Sequence, residues 1–172
     1  MSVRDVLRMG DARLLQRSQA VTDFSDPGLA VLLQDMQDTM AACDGAGLAA
    51  PQIGVALRVV IFGGRPSPRY PDAPPIQFTV LINPTIELID KEKEVGIEGC
   101  LSLPGLRGEV PRFSGIRYSG FDAGGTPFAC EAEGFHARVV QHEVDHLDGV
   151  LYPMRMPDMG RFGFEPEVET LF

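Results

Sequence analysis

The stretch "QHEVDHLDG", Gln141–Gly149, decides how the rest of the chain reads. The chain has three histidines, and two of them, His142 and His146, stand here four apart with Glu143 beside the first. "FHARVVQHEVDHLD", Phe135–Asp148, reads as a helix that Gly149 closes. Helix positions four apart share a face, one turn from each other, so two imidazole nitrogens can aim at one point. Val139, Val140, Val144 and Leu147 lie on or around that face and mark the helix as buried. Two buried imidazoles without partners are costly, and a metal ion removes the cost by taking a lone pair from each. Glu143 projects off the ligand axis and can reach a water at the metal rather than the metal itself. This is the HExxH arrangement of two ligands and a general base. An exposed helix with His, Glu and Asp in water fits poorly with so apolar a segment. His136 falls off the ligand face and reads as exposed or hydrogen-bonded.

A catalytic site of this kind needs a third protein ligand and an open position. The pattern HExxHxxGxxH fails, because Tyr152 stands where its third histidine belongs, although Gly149 is in place. A downstream acid, Glu165, Glu167 or Glu169, would need a firm helix, and the prolines and glycines there offer none. Upstream, "EGCLSLP" offers Cys100 in a strand-to-loop setting. Alone it would read as a core thiol. Beside an HExxH helix it becomes the favoured third ligand, since thiolate binds zinc or ferrous iron strongly. A structural metal site would close with four protein ligands, and Cys43 and Cys130 show no paired spacing to supply one.

Outward from this core, "DPGLAVLLQDMQDTMAA", Asp26–Ala42, carries Leu29, Leu32, Leu33, Met36 and Met40 at helical spacing, with Ser25 or Asp26 as cap and Pro27 in the first turn. "LRVVIF" reads as a strand. "FTVLINP" and "TIELID" read as two more, joined in a hairpin through Asn83-Pro84. "GIRYSGFD" and "PFACEAEGF" are strands split by "AGG". The Pro/Gly-rich stretch from Gly63 to Pro75 is long enough for a flap or an insertion. The pattern predicts an α+β fold: antiparallel or mixed sheets packed around a central HExxH helix, with an amphipathic N-terminal helix.

The 172 residues suit a single catalytic domain over 1–172. A net charge of −9 argues against nucleic acid or an anionic membrane as partner. The odd count of three cysteines is no disulfide framework. No segment has the length of a membrane span, and the N-terminus lacks the apolar run of a signal peptide, so the expected location is cytoplasmic.

Three motifs in order, "GAGLAAPQIG", "EGCLSLP" and "QHEVDHLDG", resemble the peptide deformylase family over nearly the whole chain. The resemblance implies a metal-dependent hydrolase that removes the formyl group from N-formylmethionyl nascent peptides and releases formate. It makes Cys100, His142 and His146 the metal ligands and Glu143 the catalytic acid/base. Gln52 and the backbone amide of Leu101 become donors to the oxyanion. Gly47, Ala46, Glu98 and Arg107 line or brace the substrate cleft. The expected cofactor is one divalent metal, ferrous iron, with zinc, nickel or cobalt able to substitute. Such a substrate is compatible with ribosome association, although the acidic C-terminal stretch supplies no basic docking segment. Ala46 and Arg138 depart from bulkier and aliphatic residues common in the family near the pocket.

Overall fold

A computed structural model describes residues 2–168. Its helices are α1 (Pro27–Ala42), α2 (Gly134–Leu147) and the short α3 (Glu165–Val168). Its strands are β1 (Gly47–Ala49), β2 (Val59–Phe62), β3 (Thr79–Leu88), β4 (Lys93–Cys100), β5 (Leu103–Phe113), β6 (Gly115–Phe121), β7 (Pro127–Glu133) and β8 (Phe162–Phe164). One sheet has the order β1-β2-β3-β6-β7 and the other β4-β5-β8. The architecture is α+β, and every strand pair among the described residues is antiparallel. The parallel component allowed by the sequence is reduced to an isolated bridge between Gln19 and Leu57.

β2 shows why the sheet sits where it does. Its sequence VVIF is buried at every position, because helices cover both faces, so it reads as an unbroken apolar run. Val59 and Ile61 join the core under α1 with Leu33 and Met36. Val60 and Phe62 point the other way and join the core under α2 with Leu81 and Val140. Each such side chain contributes roughly 1.5–3 kcal/mol on burial. Asp26 caps α1 through its carboxylate, which accepts from the Gly28 N–H at 2.8 Å, and Pro27 follows as its first residue.

Two local expectations change. The segment through Asn83-Pro84 is no hairpin but one bent strand, with a register shift between Ile82 and Thr85. Asn83 adopts φ 51°, a left-handed conformation that Asn tolerates. Its side-chain amide is spent on the backbone of Val21, accepting from the N–H and donating to the C=O, each at 2.9 Å. Pro84, which cannot donate to a ladder, falls in the bulge. The other change is the long β4–β5 hairpin, of which the sequence pattern offered only a strand-to-loop setting at Cys100. Gly96, Gly99, Gly105, Gly108, Pro104 and Pro111 interrupt its alternation.

α2 packs against β1, β2, β6 and β7 of one sheet and β5 of the other. Its end is fixed by a paired motif: Gly149 N–H donates to His146 C=O at 3.2 Å and Val150 N–H to Asp145 C=O at 2.9 Å. Gly149 sits at φ 73°, and a Cβ there would run into the backbone of Leu15.

Candidate metal centre

α2 places His142 and His146 on its inward face, and the C-terminal end of β4 brings Cys100 to them. The ligand atoms of Cys100, His142 and His146 all lie within 4.8 Å of one another. Cys100 Sγ is 3.3 Å from His146 Nε2. His142 Nδ1 is held by Glu98 Oε2 at 2.9 Å, which leaves its Nε2 for the centre. Burial works against a thiolate at Cys100, but the charges of His146 and His142 outweigh it and hold the thiol well below its ordinary value. Burial likewise depresses His142, yet its contacts with Cys100 and Glu98 lift it well above. A thiolate and two imidazoles, buried and converging, fit a divalent cation such as zinc or ferrous iron.

Glu143 lies in the same cleft, 5% exposed, and its Oε2 has no partner among the described residues. Burial pushes its carboxyl up to about 7, against the pull of His142 and His146. Gly47 on β1 faces it, and a Cβ at that position would collide with the Glu143 carboxylate. Only glycine lets the β1 backbone pass this close. Gln52 occupies the helical turn Ala50–Ile53 after β1. Its Oε1 accepts from Ala49 N–H at 2.9 Å, which forces the NH2 toward the centre, 3.2 Å from Ser102 Oγ and 3.4 Å from Cys100 Sγ. Leu101 and Ala46 line the cleft.

Of the two residues expected to line or brace the cleft, Glu98 lies at the cleft and Arg107 behind it. Glu98 accepts from Arg112 Nε at 2.8 Å, Arg112 Nη2 at 3.0 Å, Arg138 Nη1 at 3.0 Å and His142 Nδ1. Both of its oxygens are taken, so it braces His142. Despite burial, Arg112 and His142 hold its carboxyl well below the usual range. Arg107 packs behind Gly99, bonded to Glu165 Oε1 at 2.6 Å and to the Tyr70 hydroxyl at 3.2 Å, and lines the neighbouring groove instead of the cleft. Glu165, weighed as a metal ligand, is thereby engaged elsewhere. Glu169 lies outside the described residues. His136 is 3.3 Å from the Tyr118 hydroxyl, away from the centre.

Sequence reasoning missed Tyr70, Arg112, Asp145 and Phe135. Arg112 Nη1 donates to Asp145 at 2.6 Å while its other nitrogens hold Glu98, so it ties α2 to β4. The only available signal was Asp145 inside the HExxH helix, one residue before His146.

A carboxyl poised to hold a proton, an amide NH2 and a cation site in one cleft are the equipment of a metal-dependent amide hydrolase. Comparison narrows this class. The model of the polypeptide deformylase family matches residues 3–162. Peptide deformylase 1 of Nitrosomonas europaea is 58% identical over 99% of this chain and 95% of its own length. Peptide deformylase 2 of Ralstonia nicotianae is 60% identical over 99% and 94%. A class I type b peptide deformylase from Acinetobacter baumannii, solved with Met-Ala-Ser bound, superposes with a TM-score of 0.85 at 37% identity, over 90% of this chain and 100% of that one. The chain belongs to the polypeptide deformylase family, metal-dependent hydrolases that remove the N-formyl group from nascent peptides.

Proposed function

We propose that Cys100, His142 and His146 hold one ferrous ion, that zinc, nickel or cobalt can replace it, and that Glu143 is the acid/base for removal of formyl from N-formylmethionyl peptides. The reading rests on one observation: three ligand atoms within 4.8 Å of one another, in a cleft where a buried carboxyl oxygen has no partner. When bound, the cation supplies Lewis acidity and makes water a stronger acid. Glu143 accepts a proton from the attacking water on Oε2 and passes it to the departing amine. A carboxyl raised to about 7 suits this two-way transfer near neutrality. Gln52 Nε2–H and the Leu101 N–H donate to the formyl oxygen as negative charge grows there. The Gln52 hydrogen now directed at Cys100 becomes available once the sulfur is committed to the cation. Losing one such donor costs roughly 10²–10³ in kcat.

The substrate's main chain has two templates. β1 and β4 are each an edge of their sheet, and both border the cleft through Gly47 and Gly99. An extended peptide laid between them can pair as an added strand. Ala46 bounds the space for the methionine side chain. We read the chain as one catalytic domain organised around α2 as its central helix, acting in the cytoplasm. No helix among the described residues is long and apolar enough to cross a membrane. A net charge of −9 gives nucleic acid no electrostatic foothold, so the assigned partner is the peptide.

Anaerobic purification, metal analysis and formate release from formyl-Met-Ala-Ser test this. Bound iron and formate production are expected, and Cys100→Ser should lose the metal. Cleavage of internal peptide bonds without formate would replace this reading with a peptidase.

A further inference from the structure

The stretch from Gly63 to Pro75 is a strap across the cleft, anchored on both banks. On the β1 side, Gly63 N–H donates to Ala46 C=O at 2.9 Å and Ser67 Oγ donates to Asp44 C=O at 2.6 Å. On the β4 side, one side chain makes the anchorage. The Tyr70 hydroxyl donates to Gly99 C=O at 3.3 Å and accepts from Gly99 N–H at 3.0 Å and from Arg107 Nη1 at 3.2 Å. The Tyr70 ring rests against Phe135 of α2, with centroids 5.1 Å apart.

Gly99 is the last residue of β4 before Cys100, on a strand that is the edge of its sheet. Its N–H and C=O are what an edge offers to an added strand. Here a phenol holds both. The ring also divides two spaces: Arg69, Tyr70 and Phe135 line the metal cleft and, equally, a groove running along Ile97 and Arg107. Moving Tyr70 would free the edge and join cleft to groove.

We propose that Tyr70 is a gate on substrate binding: its hydroxyl caps the β4 edge in the resting protein, and a peptide longer than formyl-methionine displaces it to pair with Gly99 and run on into the groove. This rests on the proposed deformylase reading and adds a determinant of affinity to it. A site open in only a fraction of molecules binds with affinity reduced by that fraction. Removing the hydroxyl therefore strengthens binding of long substrates. A merely structural tyrosine would do the reverse.

The experiment compares Tyr70→Phe with the unsubstituted protein on formyl-Met-Ala-Ser and on formylmethioninamide, which ends before the groove. The gate predicts KM for the tripeptide lower by roughly three- to tenfold, the scale of one net hydrogen bond, with kcat moving less than KM. The effect on the amide should be much smaller. An unchanged or raised KM, or an equal fall for both substrates, overturns the gate. A structure of the unsubstituted protein with Met-Ala-Ser bound gives an independent reading: the Tyr70 hydroxyl should have left both Gly99 atoms, and its persistence there overturns the gate. Absence of formate release by the unsubstituted protein would defeat the deformylase reading instead. Binding of Met-Ala-Ser by calorimetry would still report on Tyr70.

Discussion

In the proposed reading Glu143 carries the proton, and its surroundings explain why that role can be tested cleanly. It touches none of the braces that position the ligands: Glu98 holds His142, and Gln52 and the Ser102 N–H meet Cys100. Glu143→Gln keeps the shape and removes the ability to carry a proton. The expected outcome is unchanged metal content with formate release slowed by at least about 10²-fold. Normal turnover by this variant would take Glu143 out of the mechanism. The residues that could be read from sequence are those whose chemistry is encoded locally. His142, Glu143 and His146 follow from helical spacing, and Gln52 and Cys100 from short motifs. Tyr70 and Arg112 gain their roles only from what the fold brings to them, at sequence separations of 29 and 14 from their Gly99 and Glu98 partners. No local pattern carries that information.

Between elements, the contact of α2 with β4 depends on a size exchange. Arg138 lays its guanidinium over Gly96, where a Cβ would stand 2.8 Å from Cζ. From there Nη1 reaches Val110 C=O at 2.7 Å and Glu98 at 3.0 Å, and Nη2 reaches Glu94 C=O at 2.7 Å. Gly96→Ala alone should destabilise by about 1–3 kcal/mol, because the arginine must leave these acceptors. In an Arg138→Leu background the same change should cost much less. Denaturant midpoints of the four proteins measure this coupling, and strict additivity would show that the two residues are independent. A second joint is the N-terminal segment on α1. Ser2 and Arg4 bind Asp35, with Arg4 Nη1 at 3.1 Å, and Arg4 N–H donates to Thr39 Oγ1 at 2.9 Å. Burial raises the Asp35 carboxyl, but the bonds from Arg4 and Ser2 prevail and leave it below its ordinary value. A depressed carboxyl contributes stability above its unfolded value, about 3.9, and loses it as pH falls through the folded value. The protection of the Arg4 amide, its exchange measured against the unstructured rate at the same pH, should therefore fall on acidification below about pH 4, and Asp35→Asn should reproduce the loss at neutral pH. Protection unaltered by that substitution would break the link. At this scale the helices and β2 were legible, since one periodicity or one apolar run spans each. β3 was cut in two because Asn-Pro signals a turn until Val21 is seen to occupy the asparagine. The β4–β5 hairpin stayed hidden because its glycines serve close approaches, Gly96 to Arg138 and Gly99 to Arg107, that interrupt the strand pattern.

For the molecule as a whole, the centre joins parts that have separate cores. Cys100 comes from the three-stranded sheet, while the histidines come from a helix that also packs on the five-stranded one. A bound cation is therefore a cross-link between the three-stranded sheet and α2, and its removal should be felt in stability as well as in turnover. It should not unfold the protein, because Glu98, Arg112, Arg138 and Asp145 continue to tie β4 and β5 to α2, and the cores under α1 and α2 contain none of the ligands. With free cation at 1,000 times its Kd, binding contributes about 4 kcal/mol. At roughly 2–4 °C per kcal/mol for a chain of this size, the metal-loaded form should melt about 8–16 °C higher. Amide exchange in the metal-free protein should rise mainly in the β4–β5 hairpin near Cys100 and spare β2 and β3, whose protection comes from the two helix-covered cores. A metal-free form that is wholly unfolded would mean that the ionic ties from β4 and β5 to α2 carry little. Equal melting temperatures with and without cation would mean that the three ligands do not close on it together.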